Sequence, residues 1–228
     1  MAILYIIGTP IGNLGDMTFR GVEILKSAGL VACEDTRRTL KLLSHFGIRA
    51  KMVSCRARNE AVAAEKVIAA LNEGRTVAYA SDAGTPGLSD PGAVLVRRAV
   101  EAGHEVIPVP GPSAFASLVS IAGSRDKSVI FEGFLSPKAG RRRSRLGELL
   151  ASGSAFVLYE SPFRILKLLE DLADLDNERY VCVAREMTKI HEEYLRGSPE
   201  EVGAALAKKA EQLGEFSVFV SGKKENSV

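Results

Sequence analysis

The chain has 228 residues, 46% of them hydrophobic, which is enough for one large domain or two of about 110 residues. Charged residues make up 25% and the net charge is +2, so wholesale disorder and a uniformly basic surface are both excluded. Three widely spaced cysteines (Cys33, Cys55, Cys182) contain no CxxC pair, which argues against a disulfide framework or a zinc ribbon.

Residues 3–7 are a continuous apolar run, short and without a basic leader, and read as a first buried strand rather than a signal peptide. No apolar run reaches the roughly 18 residues of a membrane helix. A reducing cytoplasm is the expected compartment. The spacing predicts a helix over 18–28, a strand over 30–33, and a helix over 36–46 capped by Asp35. A helix over 60–72 follows, with Asn59 as its expected cap, then a third strand over 76–80. Asp90-Pro91 reads as the start of a helix that stops at Gly103. A fourth strand over 105–109 leads into a turn at 110–113.

The second half is expected to hold strands over 129–132, 156–159, 180–184, 193–196 and 216–221 with few helices between them. One helix is placed at Ser161-Pro162. Another is placed at Ser198-Pro199, where Glu201 completes a capping box. Residues 223–228 look frayed. The pattern as a whole is α/β: a mostly parallel N-terminal sheet over 1–112 and a mixed C-terminal sheet over 113–228.

Three Gly/Pro-rich loops follow strands: 8–15, 81–92 and 110–114. The second packs three glycines, two prolines and two aspartates into twelve residues and contains no Lys or Arg, so it is a poor phosphate cradle. The first has glycines four and three apart and is neither GxGxxG nor a P-loop. Ligands sit at the carboxyl ends of strands in open α/β sheets, so Asp82, directly after a strand, is expected to face one. Glu186 and Lys189, in the ionisable stretch 184–193, are either acid/base groups or an ordinary surface ion pair. His191-Glu192 lacks the spacing of a zinc helix, and no metal is expected.

Positive charge is local. Residues 36–59 carry Arg37, Arg38, Lys41, Arg49, Lys51, Arg56 and Arg58 with no acid; residues 133–147 carry Lys138, Arg141, Arg142, Arg143 and Arg145 with no acid. Two such runs in a near-neutral chain suggest a phosphate backbone as partner.

These segments together resemble the tetrapyrrole (corrin/porphyrin) methylase superfamily, and within it the methyltransferases of small-subunit ribosomal RNA. The likeness runs through Gly8-Thr9-Pro10-Ile11-Gly12-Asn13-Leu14, Glu34-Asp35-Thr36-Arg37, the run 42–47, the loop 81–91, Pro110-Gly111-Pro112-Ser113-Ala114, Phe131-Glu132-Gly133-Phe134-Leu135, Tyr159-Glu160-Ser161-Pro162 and the stretch 184–193. The resemblance implies two α/β domains with S-adenosylmethionine (SAM) in the cleft between them, a homodimer, and methyl transfer to the ribose 2′-hydroxyl of a cytidine in 16S rRNA near the decoding centre. It implies SAM contacts from Pro10, Asp82, Ala83, Gly84, Pro86, Gly111, Ser113, Ala114 and the backbone near Ala184. Asp82, Glu186 and Lys189 are the candidate proton acceptors, and Arg37, Arg38, Arg56, Arg58, Arg141, Arg142 and Arg143 the candidate RNA contacts. The alternatives are a small-molecule methylase and a non-catalytic SAM- and RNA-binding factor. The chain departs from the family's usual pattern at Cys55-Arg56-Ala57-Arg58 and at Phe163, where Ser-Pro-His-Arg is usual, and many members continue beyond the last strand.

Overall fold

The computed structural model describes residues 2–209 and 213–222; the expected fraying at 223–228 lies outside them. The chain divides into two compact units, Met1–Ser113 and Ala114–Val228.

In the first unit the strands β1 (Ile3–Ile7), β2 (Leu30–Cys33), β3 (Met52–Ser54), β4 (Val77–Ala80) and β5 (Glu105–Val109) form one sheet in the order β3-β2-β4-β1-β5. Every pairing is parallel. Parallel strands covered on both faces need apolar side chains on both, and Val77, Ala78, Tyr79 and Ala80 are all fully buried. The period of two then sorts them. Leu4, Val77 and Tyr79 pack with Val67, Leu71 and Leu95 of α3 (Glu60–Asn72) and α4 (Ala93–Glu101) on one face. Ile7, Val31 and Ala78 pack with Leu25 and Leu43 of α1 (Phe19–Ser27) and α2 (Thr36–His45) on the other.

The second unit holds β6 (Val129–Phe134), β7 (Ala155–Glu160), β8 (Val181–Arg185), β9 (Glu193–Gly197) and β10 (Phe216–Val220), ordered β6-β7-β10-β8-β9. Only β6 and β7 pair in parallel, with a bulge at Gly133 (φ +72°); the other pairings are antiparallel. Helices α6 (Ala139–Ser152), α7 (Ile165–Asp176) and α8 (Pro199–Ala207) supply Leu146, Leu149, Leu168, Leu172, Val202 and Leu206 to a core with Phe156, Leu158, Val183, Phe216 and Val218. Helix α5 (Ala114–Ala122) packs on β8 and β10. The parallel first sheet and the mixed second sheet are the α/β architecture expected.

Several local expectations differ from the structure. Strand β3 was not expected, nor were α5 and α6. Helix α7 begins at Ile165, after a hydrogen-bonded turn at 161–164, rather than at Ser161-Pro162. Asn59 holds the N-cap position of α3 as expected but makes no capping bond: its side chain accepts from Arg56 N at 2.7 Å and donates to Ser54 O at 3.2 Å, closing the preceding turn. Asp90 does not cap α4, whose N-cap is Gly92. The Ser198–Glu201 capping box is present as expected.

Candidate active site

The winding of the first sheet decides where a ligand can enter. From β2 the chain leaves toward β3, while from β4 it leaves in the opposite direction, across β1 to β5. Adjacent strands whose connections diverge leave a crevice at their carboxyl ends, the place where open α/β sheets bind ligands. The loops that meet there are 34–35 and 81–92.

Backbone contacts weld the neighbouring loops to this crevice. Thr9 and Gly84 exchange two hydrogen bonds of 2.9 Å, and Thr9 Oγ1 donates to Ser81 O at 3.2 Å. Gly84 holds φ +77°, a conformation that favours glycine. Gly8 packs on Gly111 so closely that a Cβ on Gly111 would stand 2.6 Å from the Gly8 carbonyl oxygen. The three Gly/Pro loops therefore converge, and Pro10, Ala83, Pro86 and Gly111 all stand at least partly accessible while Gly84 is buried beneath them. Ser113 ends the first unit and Ala114 opens the second. Ala184 is 1% exposed, within β8.

Carboxylates crowd the crevice. Asp82 Oδ1 accepts from Asp35 N at 2.9 Å, and Glu34 Oε2 accepts from Asp82 N at 3.4 Å. Burial, then the nearby Asp82, push the Glu34 carboxyl above its ordinary range. Asp90 is pushed up to about 6 by burial and by Glu34 and Asp82, against a hydrogen bond with Ser81. Asp35 is the exception: Arg37 donates to its carboxylate through side chain and backbone and holds it well below the usual range. The crevice is thus rich in negative charge, with Arg38 Nε 3.6 Å from Asp82 Oδ2 and Arg56 3.6 Å from Asp35. Such a site fits a cationic ligand that carries hydrogen-bond donors, and disfavours a phosphate.

Glu60 carries no local signal in the sequence. Its side chain lies under the loop, and Oε1 accepts from Gly92 N, Val94 N and Leu95 N at 2.9, 2.9 and 3.1 Å. Glu60 thus takes the capping role expected of Asp90. Tyr79 Oη also donates to Pro91 O at 2.8 Å, so the far end of the loop is tied from below.

Within the second unit, Lys189 Nζ lies 2.8 Å from Glu186 Oε1 and 2.9 Å from Glu215 Oε2. Partial burial pushes Glu186 up, but hydrogen bonds from Lys189 and from the Glu215 backbone outweigh it and hold the carboxyl below its ordinary range. Burial pushes Lys189 down, and its two carboxylate partners outweigh that and raise it. Of the candidate RNA contacts, Arg37, Arg38, Arg58 and Arg141 are exposed and Arg56 is half-buried. Arg142 is a correction. Its side chain is 4% exposed, with Nε 2.6 Å from Asp171 Oδ2, so it is a core ion pair out of reach of a phosphate. Arg143 is partly accessible and shared between Asp171 and Asp174.

Among the described residues, no group of three or more His, Cys, Asp or Glu side chains is arranged to hold a metal ion, and no helix is long and apolar enough to cross a membrane. Two surface grooves, about 500 Å³ between α7 and α8 and about 450 Å³ between α3 and α4, lie between helices rather than at strand ends, and neither contains the crowded carboxylates.

Residues 3–203 match the family model for tetrapyrrole (corrin/porphyrin) methylases, and the chain belongs to that family. Two solved structures share the fold: cobalt precorrin-4 methyltransferase, a cobalamin biosynthetic enzyme (TM-score 0.68, 16% identity, 96% of this chain and 94% of that one), and uroporphyrin-III-C-methyltransferase from Thermus thermophilus (TM-score 0.65, 18% identity, 97% and 95%). Far nearer in sequence are proteins named ribosomal RNA small subunit methyltransferase I. The protein from Borrelia garinii is 48% identical over 96% of this chain and 98% of its own, and that from Thermotoga maritima 43% identical over 98% and 100%. The one from Neisseria meningitidis serogroup B is 44% identical over 90% of this chain and 70% of its own length.

Proposed function

We propose that the protein transfers a methyl group from SAM to the ribose 2′-hydroxyl of a cytidine in 16S rRNA, near the decoding centre, acting in the cytoplasm as a homodimer. The observation that carries the reading is the crevice between β2 and β4, where stiff loops converge around surplus carboxylate charge. Relatives named for ribosomal RNA methylation, at 43% and 48% identity, support the acceptor class.

SAM, when bound, supplies a methyl group made electrophilic by its sulfonium, and as a net cation it suits the carboxylates of Asp82, Glu34 and Asp90. The exposed backbone of loop 81–92 and the Gly8–Gly111 contact give a rigid surface on which the two reactants are aligned, a contribution of order 7–11 kcal/mol in favourable cases. Asp82 is assigned as the acceptor of the 2′-hydroxyl proton. Lys189, held as an ammonium by two carboxylates, cannot take a proton, and Glu186 is a weakened base in its ion pair. Arg37 and Arg38, exposed and paired with Asp35 and Asp82 of the crevice, together with the exposed Arg58, are assigned to RNA phosphates.

The test uses methyl-labelled SAM and small ribosomal subunits from cells lacking the modification, followed by digestion of the RNA to nucleosides. Label in 2′-O-methylcytidine is expected. Label in another nucleoside, or none in RNA alongside transfer to a tetrapyrrole, overturns the assignment.

A further inference from the structure

One edge of the second sheet presents aromatic rings that the fold leaves unburied. Strands β6 and β7 are parallel and end together there. Phe134, the last residue of β6, is 59% exposed, and Phe163, just beyond β7, is 94% exposed. Single exposed apolar residues are common, but these two stand at the same end of the sheet, since Phe134 pairs with Tyr159 and Phe163 follows the last residue of β7 by three.

The turn that carries Phe163 and the ring of Phe134 are both held in place. Glu160, buried at the end of β7, accepts through Oε1 from Ser161 N at 2.6 Å and pairs with Arg164 at 2.7 Å. Arg164 Nε donates to Ser161 Oγ at 3.2 Å, and Ser161 O accepts from the N–H groups of Arg164 and Ile165 at 3.1 Å each. The turn that carries Phe163 is therefore closed from inside, with its ring outward. Phe134 stands edge-to-face on Tyr159 at 5.7 Å, Tyr159 on Phe131 at 5.1 Å, and Phe131 on Phe115 at 5.3 Å.

Free positive charge follows β6 in the chain. Lys138 and Arg141, four and seven residues after Phe134, are exposed and form no ion pair with any described residue, and the first turn of α6 holds no acid. Their neighbours Arg142, Arg143 and Arg145 are all engaged by Asp171, Asp174, Glu132 and Glu148. Exposed aromatic rings on one sheet end, with unpaired cations on the segment that follows, match an unpaired nucleotide, whose base stacks and whose phosphate pairs.

We infer that Phe134 and Phe163 form a stacking platform for unpaired bases of the RNA acceptor, with Lys138 and Arg141 on the adjoining phosphates. The inference rests on the RNA-acceptor reading above and adds to it the part of the RNA that is gripped.

The experiment compares a fluorescein-labelled single-stranded oligoribonucleotide with a blunt duplex of the same length, by anisotropy, on the full chain. Phe163→Ala and Phe134→Ala are each expected to weaken single-strand binding about tenfold, with duplex binding and SAM affinity unchanged. Phe163→Tyr is expected to restore it. Arg141→Ala is expected to lower the slope of log affinity against log salt by about 0.7. If wild-type protein methylates small subunits and Phe163→Ala binds and reacts like it, the platform is overturned while the function stands. If wild-type protein neither binds RNA nor transfers methyl to it, both fall. If Phe163→Ala instead lowers self-association in sedimentation velocity and leaves RNA binding intact, the face belongs to a second copy and the inference is wrong.

Discussion

Gly8 and Gly111 meet backbone to backbone at the ends of β1 and β5: a Cβ added to Gly8 would stand 2.9 Å from Gly111 Cα, and one added to Gly111 2.6 Å from Gly8 O. Neither neighbour is the end of a flexible side chain, so a methyl group can be fitted only by moving a loop. Gly111→Ala is expected to lower SAM affinity at least tenfold and to destabilise the unit by about 1–3 kcal/mol. Isothermal titration and thermal unfolding read the two effects. Wild-type SAM affinity in this variant would remove the 110–113 loop from the site.

The crowded carboxylates make ligand binding depend on pH. With Asp90 raised to about 6, the folded protein holds this proton more tightly than the unfolded chain, whose Asp titrates near the ordinary value. The contribution of Asp90 to stability is thus fully present below about pH 4 and is lost as pH rises through 6. A bound cation reverses the preference and favours the ionised carboxyl. SAM affinity is therefore expected to rise from pH 5 to pH 7 and then level off, and Asp90→Asn to flatten the rise. Calorimetric titrations across that range check both.

The assignment of the proton acceptor separates two variants. Asp82→Asn is expected to lower kcat by about 10²-fold or more. Glu186→Gln is expected to leave kcat within about threefold of wild type while loosening the loop around Lys189, since this carboxylate holds Lys189 Nζ and Glu215 N rather than a reactant. Single-turnover methyl transfer at saturating SAM measures both.

Arg142 and Asp171 test the division between structural and RNA-facing arginines. Asp171→Ala leaves a buried guanidinium without its carboxylate and is expected to cost about 3–5 kcal/mol of stability. Arg142→Met is expected to be milder in stability and silent in RNA affinity, whereas Arg141→Ala is expected to weaken RNA binding without touching stability. Denaturant unfolding and salt-dependent RNA titration distinguish them.

Legibility in the sequence followed the range of the interactions. Strands β1, β2 and β4 are unbroken apolar runs, and β5 and β10 depart from one only at Glu105 and Ser217, so all five stand out on that ground alone. Strand β3 is three half-buried residues at a sheet edge inside a basic run, too short for a pattern. Helix α6 was hidden by its arginines: its buried leucines, Leu146, Leu149 and Leu150, fall in its second half. The glycine and proline loops marked the candidate site because backbone conformation is a local property. What stayed invisible was set by partners distant in sequence. Glu60 caps a helix 32 residues away, and Asp171 buries Arg142 from 29 residues away. No local spacing distinguishes such residues from a solvated surface.

The most direct measurement is hydrogen exchange of the backbone amides of the whole chain with and without SAM. The account requires protection centred on residues 82–88 and 111–113, at the carboxyl ends of β4 and β5, together with the segment 34–35 beside them. Protection confined to the helix-lined groove between α7 and α8, or no protection at a SAM concentration that saturates binding, would contradict it.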